Sequence, residues 1–95
     1  MKIYKYPLNL ATEGKCILKL PSDAKILSAG VQDYNIVVWA ICDQFAKFDP
    51  LVDETKIVEV AVVPTGVELN DVGYEFIQTV FIDWMVLHLF VRDAI

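Results

Sequence analysis

The chain has 95 residues, 56% of them hydrophobic, and a formal net charge of −5. This length is typical of one domain, so we predict a single domain over residues 1–95. An acidic chain lacks the basic surface that nucleic-acid binding needs, and no apolar run approaches the ~20 residues of a membrane helix.

The N-terminal residues and the positions of the cysteines favour a cytoplasmic protein. If a phage encodes it, that location is the host cytosol. The opening residues 1–7 contain no apolar core of a secretory signal. Cys16 and Cys42 lie inside apolar runs, where reduced cysteine packs as a small hydrophobe, so we expect free thiols. Most acidic residues flank predicted turns, which favours solvated turn positions over a surface that mimics DNA.

Seven short apolar runs, each ended by Asp, Asn, Gly or Pro, predict an all-β fold. We place the strands at 1–8, 15–20, 25–32, 36–42, 56–63, 74–82 and 84–92. The run 36–42 is apolar on both faces, which is typical of a central strand. The pattern predicts a compact, mostly antiparallel β-sandwich or roll, and periodicity does not distinguish this from a partly closed barrel.

The longest connection, 43–55, is predicted to hold one helical turn. Asp43 is a suitable N-cap, Phe45 and Phe48 have i, i+3 spacing, and Pro50 ends the turn. The two phenylalanines suit packing under the sheet, with a lid or a partner contact as the alternative.

Few residues offer chemistry. One histidine and two separated cysteines lack the spacing of a metal site, and we predict no metal and no cofactor. His88 is the one near-neutral base, and we favour a hydrogen-bonded sheet residue over ligand contact or catalysis. Glu59 and Glu75 are the carboxylates inside strands, and they pair only if their two strands are neighbours.

Three further residues have side chains that suit binding. Trp39 and Trp84 are expected in the core, with a ligand-stacking wall or an interface as the alternative. The sequence Pro64-Thr65-Gly66 predicts a turn, whose amides and Thr65 hydroxyl could also bind an anion.

Three stretches resemble a family of small phage and bacterial proteins without an assigned function: Ile3-Tyr4-Lys5-Tyr6-Pro7-Leu8, Leu20-Pro21-Ser22-Asp23-Ala24-Lys25-Ile26-Leu27-Ser28 and His88-Leu89-Phe90. The chain departs from the family pattern at Pro64-Thr65-Gly66, which is usually Gly-Thr-Gly, and in its longer, more aromatic 43–55 segment. The resemblance implies a phage context, a compact β fold and a small accessory gene product.

The hydrophobic content is high for so small a domain, so either the core is unusually complete or some apolar surface meets another chain. We favour the second alternative, and with it a homo-oligomer. Together with the resemblance, this predicts a non-enzymatic phage accessory protein. Its task would be to counter host defence, by sequestering a nucleotide-derived signal or by occluding a host defence protein. The candidate ligand contacts are Lys5, Gln32, Trp39, Thr65 and His88.

Two other functions stay open. One is a structural or assembly subunit of a phage complex, which would act through its β-edges. The other is a small enzyme that uses His88 with Glu59 or Glu75.

Overall fold

Seven strands make up the regular structure of the computed structural model, which describes residues 1–9, 14–43 and 55–94. The strands are β1 Lys2–Pro7, β2 Lys15–Pro21, β3 Lys25–Gln32, β4 Asn35–Cys42, β5 Thr55–Pro64, β6 Glu75–Ile82 and β7 Met85–Asp93. Every predicted strand is present, and no end differs from its prediction by more than one residue. The predicted helical turn falls in residues 44–54, outside the described part of the chain.

The strands form two antiparallel sheets. The three-stranded sheet has the order β1-β4-β3, and the four-stranded sheet has the order β2-β5-β7-β6. Strand β3 of the first sheet lies beside β6 of the second. This arrangement confirms the predicted all-β antiparallel fold, and the shared core makes it a sandwich.

One core fills the space between the sheets. The three-stranded sheet contributes Ile36, Val38 and Ala40 from alternate positions of β4, and the four-stranded sheet contributes Val60 and Leu89, all buried. Burying one such aliphatic side chain stabilises the fold by about 1.5–3 kcal/mol. Strand β4 is central in its sheet, as its two apolar faces predicted.

The two cysteines belong to this core. Cys16 and Cys42 are both buried and both free, as expected. No helix in residues 1–9, 14–43 and 55–94 is long and apolar enough to cross a membrane.

Two-residue turns join the hairpins, and one of them corrects a prediction. Asp83 and Trp84 connect Ile82 to its cross-strand partner Met85, with a left-handed backbone at Asp83 (φ 52°). A residue at such a turn lies beyond the sheet that its hairpin belongs to. Trp84 is therefore 88% exposed, and its predicted burial in the core is wrong.

Candidate functional site

The five predicted contact residues lie on two different surfaces. Lys5, Gln32 and Trp39 belong to the three-stranded sheet, and Thr65 and His88 belong to the four-stranded sheet and its β5–β6 loop. Each group occupies the outer side of its sheet, because the inner sides carry the shared core. The structure therefore does not bring all five together.

On the three-stranded sheet, Lys5 stands opposite Trp39 in the β1–β4 register. Its Nζ donates a hydrogen bond to Gln32 Oε1 at 2.9 Å. The half-buried indole lies over Gly30, where an added Cβ would come within 2.9 Å of Trp39 Cζ3. Cation, amide and aromatic ring thus share one flat sheet surface.

On the four-stranded sheet, His88 is bonded through both ring nitrogens. Nε2 lies 2.7 Å from Thr65 Oγ1, and Nδ1 lies 2.9 Å from Thr79 Oγ1. This confirms the prediction of a hydrogen-bonded sheet histidine. Thr79 was missed in the sequence analysis, because only the β6–β7 register places it opposite His88.

The Glu59–Glu75 carboxylate pair considered for acid–base chemistry does not form. Strand β7 lies between β5 and β6, so Glu59 and Glu75 are not on neighbouring strands. Glu59 stands opposite Arg92 and accepts from its Nη2 at 3.1 Å. Glu59 and Glu75 therefore do not meet the geometric condition for acid–base chemistry by this pair.

Arg92 instead fastens the loop before β6 to the outer surface of the four-stranded sheet. Its Nη1 donates to the Val72 carbonyl at 3.1 Å, and its guanidinium lies 4.4 Å from the centroid of the Tyr74 ring. The Tyr74 hydroxyl donates to Glu59 Oε1. Burial, and then this hydrogen bond, raises the pKa of Tyr74.

A second clamp holds the same loop. Lys15 Nζ lies 2.7 Å from Asp71 Oδ2, and the hydrogen bond raises the pKa of Lys15 and lowers that of Asp71. Five side chains of the sheet and loop (Glu59, Arg92, Tyr74, Lys15 and Asp71) are thus used for attachment, which leaves them unavailable to a ligand.

A concave site lies at one end of the four-stranded sheet, where β2 and β7 end and β5 and β6 begin. Its volume is about 300 Å³, and its floor includes the buried side chains of Leu20, Ala24 and Val58. A neighbouring cavity of about 420 Å³ shares Gly73, Arg92 and Asp93 with it.

Besides Arg92, four charged residues line this site: Lys25 at the start of β3, Lys56 near the start of β5, Glu75 at the start of β6 and Asp93 at the end of β7. Within the described residues, neither Lys25 nor Lys56 has an ion-pair partner. We call this site the lysine cleft. Its two unpaired ammonium groups above an apolar floor suit an anionic ligand that also has an apolar part.

The sequence analysis missed the lysine cleft. Each lysine follows a connection and begins a strand, which is an ordinary place for a solvated cation. Only the packing of the two sheets places Lys25 and Lys56 on the same cleft. Across the described segments, no group of three His, Cys, Asp or Glu residues is placed to hold a metal ion.

Fold and site together define a small antiparallel all-β protein of two sheets, with an open cleft at one end. A family model described as a domain of unknown function (DUF7352) matches residues 1–94, and the chain belongs to this family. This confirms the expected membership of a small uncharacterised family. No curated protein and no solved structure matches the chain.

Proposed function

We propose that the protein is a non-catalytic binding protein that sequesters a small phosphorylated, nucleotide-like ligand in the lysine cleft. One observation carries the proposal: the cleft is concave and presents Lys25 and Lys56 without ion-pair partners in the described part of the chain. Small ligands need concave sites, which cover most of their surface, and a flat sheet surface covers only one side of them.

Each part of a nucleotide has a counterpart in the cleft. The ammonium groups of Lys25 and Lys56 suit phosphate oxygens. The carboxylates of Glu75 and Asp93 can accept hydrogen bonds from sugar hydroxyls. The apolar floor can cover the base, and the mixture of charges favours a nucleotide over a simple dianion.

In a phage, sequestering such a ligand would serve to counter host defence. The resemblance in sequence motifs supports a phage accessory protein in the cytosol of its host. A protein that binds a nucleotide-derived defence signal without hydrolysing it lowers the free concentration of that signal.

Calorimetry tests the proposal. We expect the wild type to bind at least one member of a panel of cyclic dinucleotides, ADP-ribose derivatives and inorganic phosphate. The double variant K25Q/K56Q should bind that compound at least about 10-fold more weakly, since charge-assisted hydrogen bonds contribute about 1.5–3 kcal/mol each.

The matched control is K2Q/K19Q, which removes two exposed edge-strand lysines and the same total charge. It should bind as the wild type does. Equal loss in the two double variants would show a general charge effect and would contradict the assignment to the lysine cleft.

A second candidate function is occlusion of a host protein by the Lys5–Gln32–Trp39 surface. The specific observation is that Ile3 and Leu27 are exposed beside the half-buried Trp39 on a flat sheet. An apolar patch with an aromatic centre and a polar rim is typical of a protein interface. No binding across the panel, with a host protein retained by the wild type and lost in Lys5→Glu, would favour this candidate.

A further inference from the structure

The β6–β7 hairpin carries an exposed aromatic surface that neither proposed binding site uses. In the register, Phe76 stands opposite Phe90, and Phe81 stands opposite Val86, on the outer side of the four-stranded sheet. Phe76 is 59% and Phe81 is 68% exposed. Together with Trp84 at the turn, we call these five residues the aromatic face. Side chains of this size are seldom left together in water.

Removing water from the aromatic face costs little free energy of desolvation. The polar residues in its middle are Thr65, Thr79 and His88, and they already bond one another at 2.7 and 2.9 Å. A polar group that keeps its hydrogen bonds avoids the main penalty of burial. At one margin, Phe76 and Phe90 meet edge to face, with centroids 5.7 Å apart.

Charge points to the identity of the partner. The paired outer positions of β6 and β7 from Phe76 to Val86 hold no Lys, Arg, Asp or Glu. Two copies of a chain with net charge −5 repel one another unless they meet where neither carries charge. A basic partner would be drawn to the acidic surface instead of this neutral one.

Two of the four sheet edges are poor alternatives for self-association. The edge strand β1 carries Lys2 and Lys5, and the edge strand β2 carries Lys15 and Lys19. Lysines on edge strands oppose strand-to-strand pairing between copies. Contact through the aromatic face is therefore favoured over contact through these two edges.

We propose that the aromatic face binds a second copy of this chain, face to face about a two-fold axis. In such an arrangement one patch is complementary to itself and the contact closes at two copies. The proposal is independent of the lysine cleft, which lies at the strand ends and not on this outer surface.

Sedimentation velocity tests it. We expect the wild type to dimerise between about 5 and 500 µM, the range of a modest apolar interface. Dimerisation should persist or strengthen in high salt, since salt screens the repulsion between two acidic chains. F81E should weaken dimerisation at least about 10-fold, because it places a carboxylate in the apolar contact.

The matched control is Y34E, at a residue that is 80% exposed on the β3–β4 turn of the other sheet. It adds the same charge in place of another exposed aromatic side chain and should dimerise as the wild type does. Circular dichroism should show F81E folded, because Phe81 is not part of the core.

A second readout follows the interface directly. In the variant W39F, Trp84 is the only tryptophan, and its emission should shift to shorter wavelength as concentration rises. A wild type that stays monomeric at about 500 µM would overturn the proposal. Dimerisation of F81E equal to that of the wild type, or equal loss in F81E and Y34E, would also overturn it.

Discussion

The two sheets differ in how far each exposes its tryptophan. On the three-stranded sheet, Trp39 lies along the sheet over Gly30 and is half buried. On the four-stranded sheet, the hairpin turn carries Trp84 away from the sheet, and 88% of it is exposed. Both residues belong to apolar runs of similar composition.

The difference shows that an outward position does not decide exposure by itself. Trp39 lies over Gly30, which has no side chain, and beside the hydrogen-bonded pair of Lys5 and Gln32. On the other sheet, side chains of the β5–β6 loop contact the surface near Arg92, while the β6–β7 half stays bare. What covers a face is set by neighbouring segments as much as by its own residues.

The largest expected effect comes from removing the attachment of that loop. Arg92→Ala should lower the free energy of unfolding by about 2–3 kcal/mol, because it leaves the mostly buried Glu59 carboxylate without its cation. The Glu59 side chain is only 17% exposed. Urea denaturation measures the loss, and amide hydrogen exchange should show faster exchange of the loop.

Two controls separate the attachment from simple charge. Arg92→Lys keeps the charge without the planar fork and should give an intermediate loss. Lys19→Ala, on an exposed edge position, should stay within about 0.5 kcal/mol of the wild type. A loss for Arg92→Ala no larger than that of Lys19→Ala would contradict the structural role of the arginine.

The next effect sharpens the contrast between the tryptophans. Gly30→Ala should destabilise the protein by about 1–3 kcal/mol, because the new methyl group meets the Trp39 ring and displaces it. The added Cβ would lie 2.9 Å from Cζ3 and 3.1 Å from Cη2. In a Trp84→Phe background, the emission of Trp39 should move to longer wavelength as the indole enters water.

Ser28→Ala is the matched control. Ser28 lies on β3, as Gly30 does, and stands opposite Trp39 of β4, and the change adds no bulk. Its emission should equal that of the background variant. An unchanged emission in Gly30→Ala would show that the ring does not depend on the glycine.

The smallest effect concerns the clamp between Lys15 and Asp71. The hydrogen bond from Lys15 lowers the pKa of Asp71 below its ordinary value of 3.8. The stability that it contributes is thus present above that value and is lost as the pH falls through the lower folded pKa. Asp71→Asn should make stability slightly less dependent on pH in this acid range, with little change near neutrality.

Because both partners are well exposed, added salt should reduce this contribution further. Urea midpoints measured from neutral pH down to about pH 3 would show it. An Asp71→Asn variant with a steeper acid dependence than the wild type would contradict the predicted sign.

Most of the fold could be predicted from the sequence. Strand positions follow from runs such as 36–42 and from the Pro, Gly, Asn and Asp residues between runs, because alternation and turn chemistry are local properties. The hydrogen-bonded state of His88 and the free buried cysteines were also predicted correctly. The candidate contacts were predicted as one set and occupy two separate surfaces.

By itself, then, the sequence determined the strand positions along the chain and the all-β class. Tertiary structure alone decided that β7 separates Glu59 from Glu75, that Lys25 and Lys56 line one cleft, and that Trp84 lies outside the core. The physical reason is that alternation specifies which side of a strand a residue occupies. Strand order within a sheet, and the residues that converge at its end, depend on long-range pairing that no local pattern encodes.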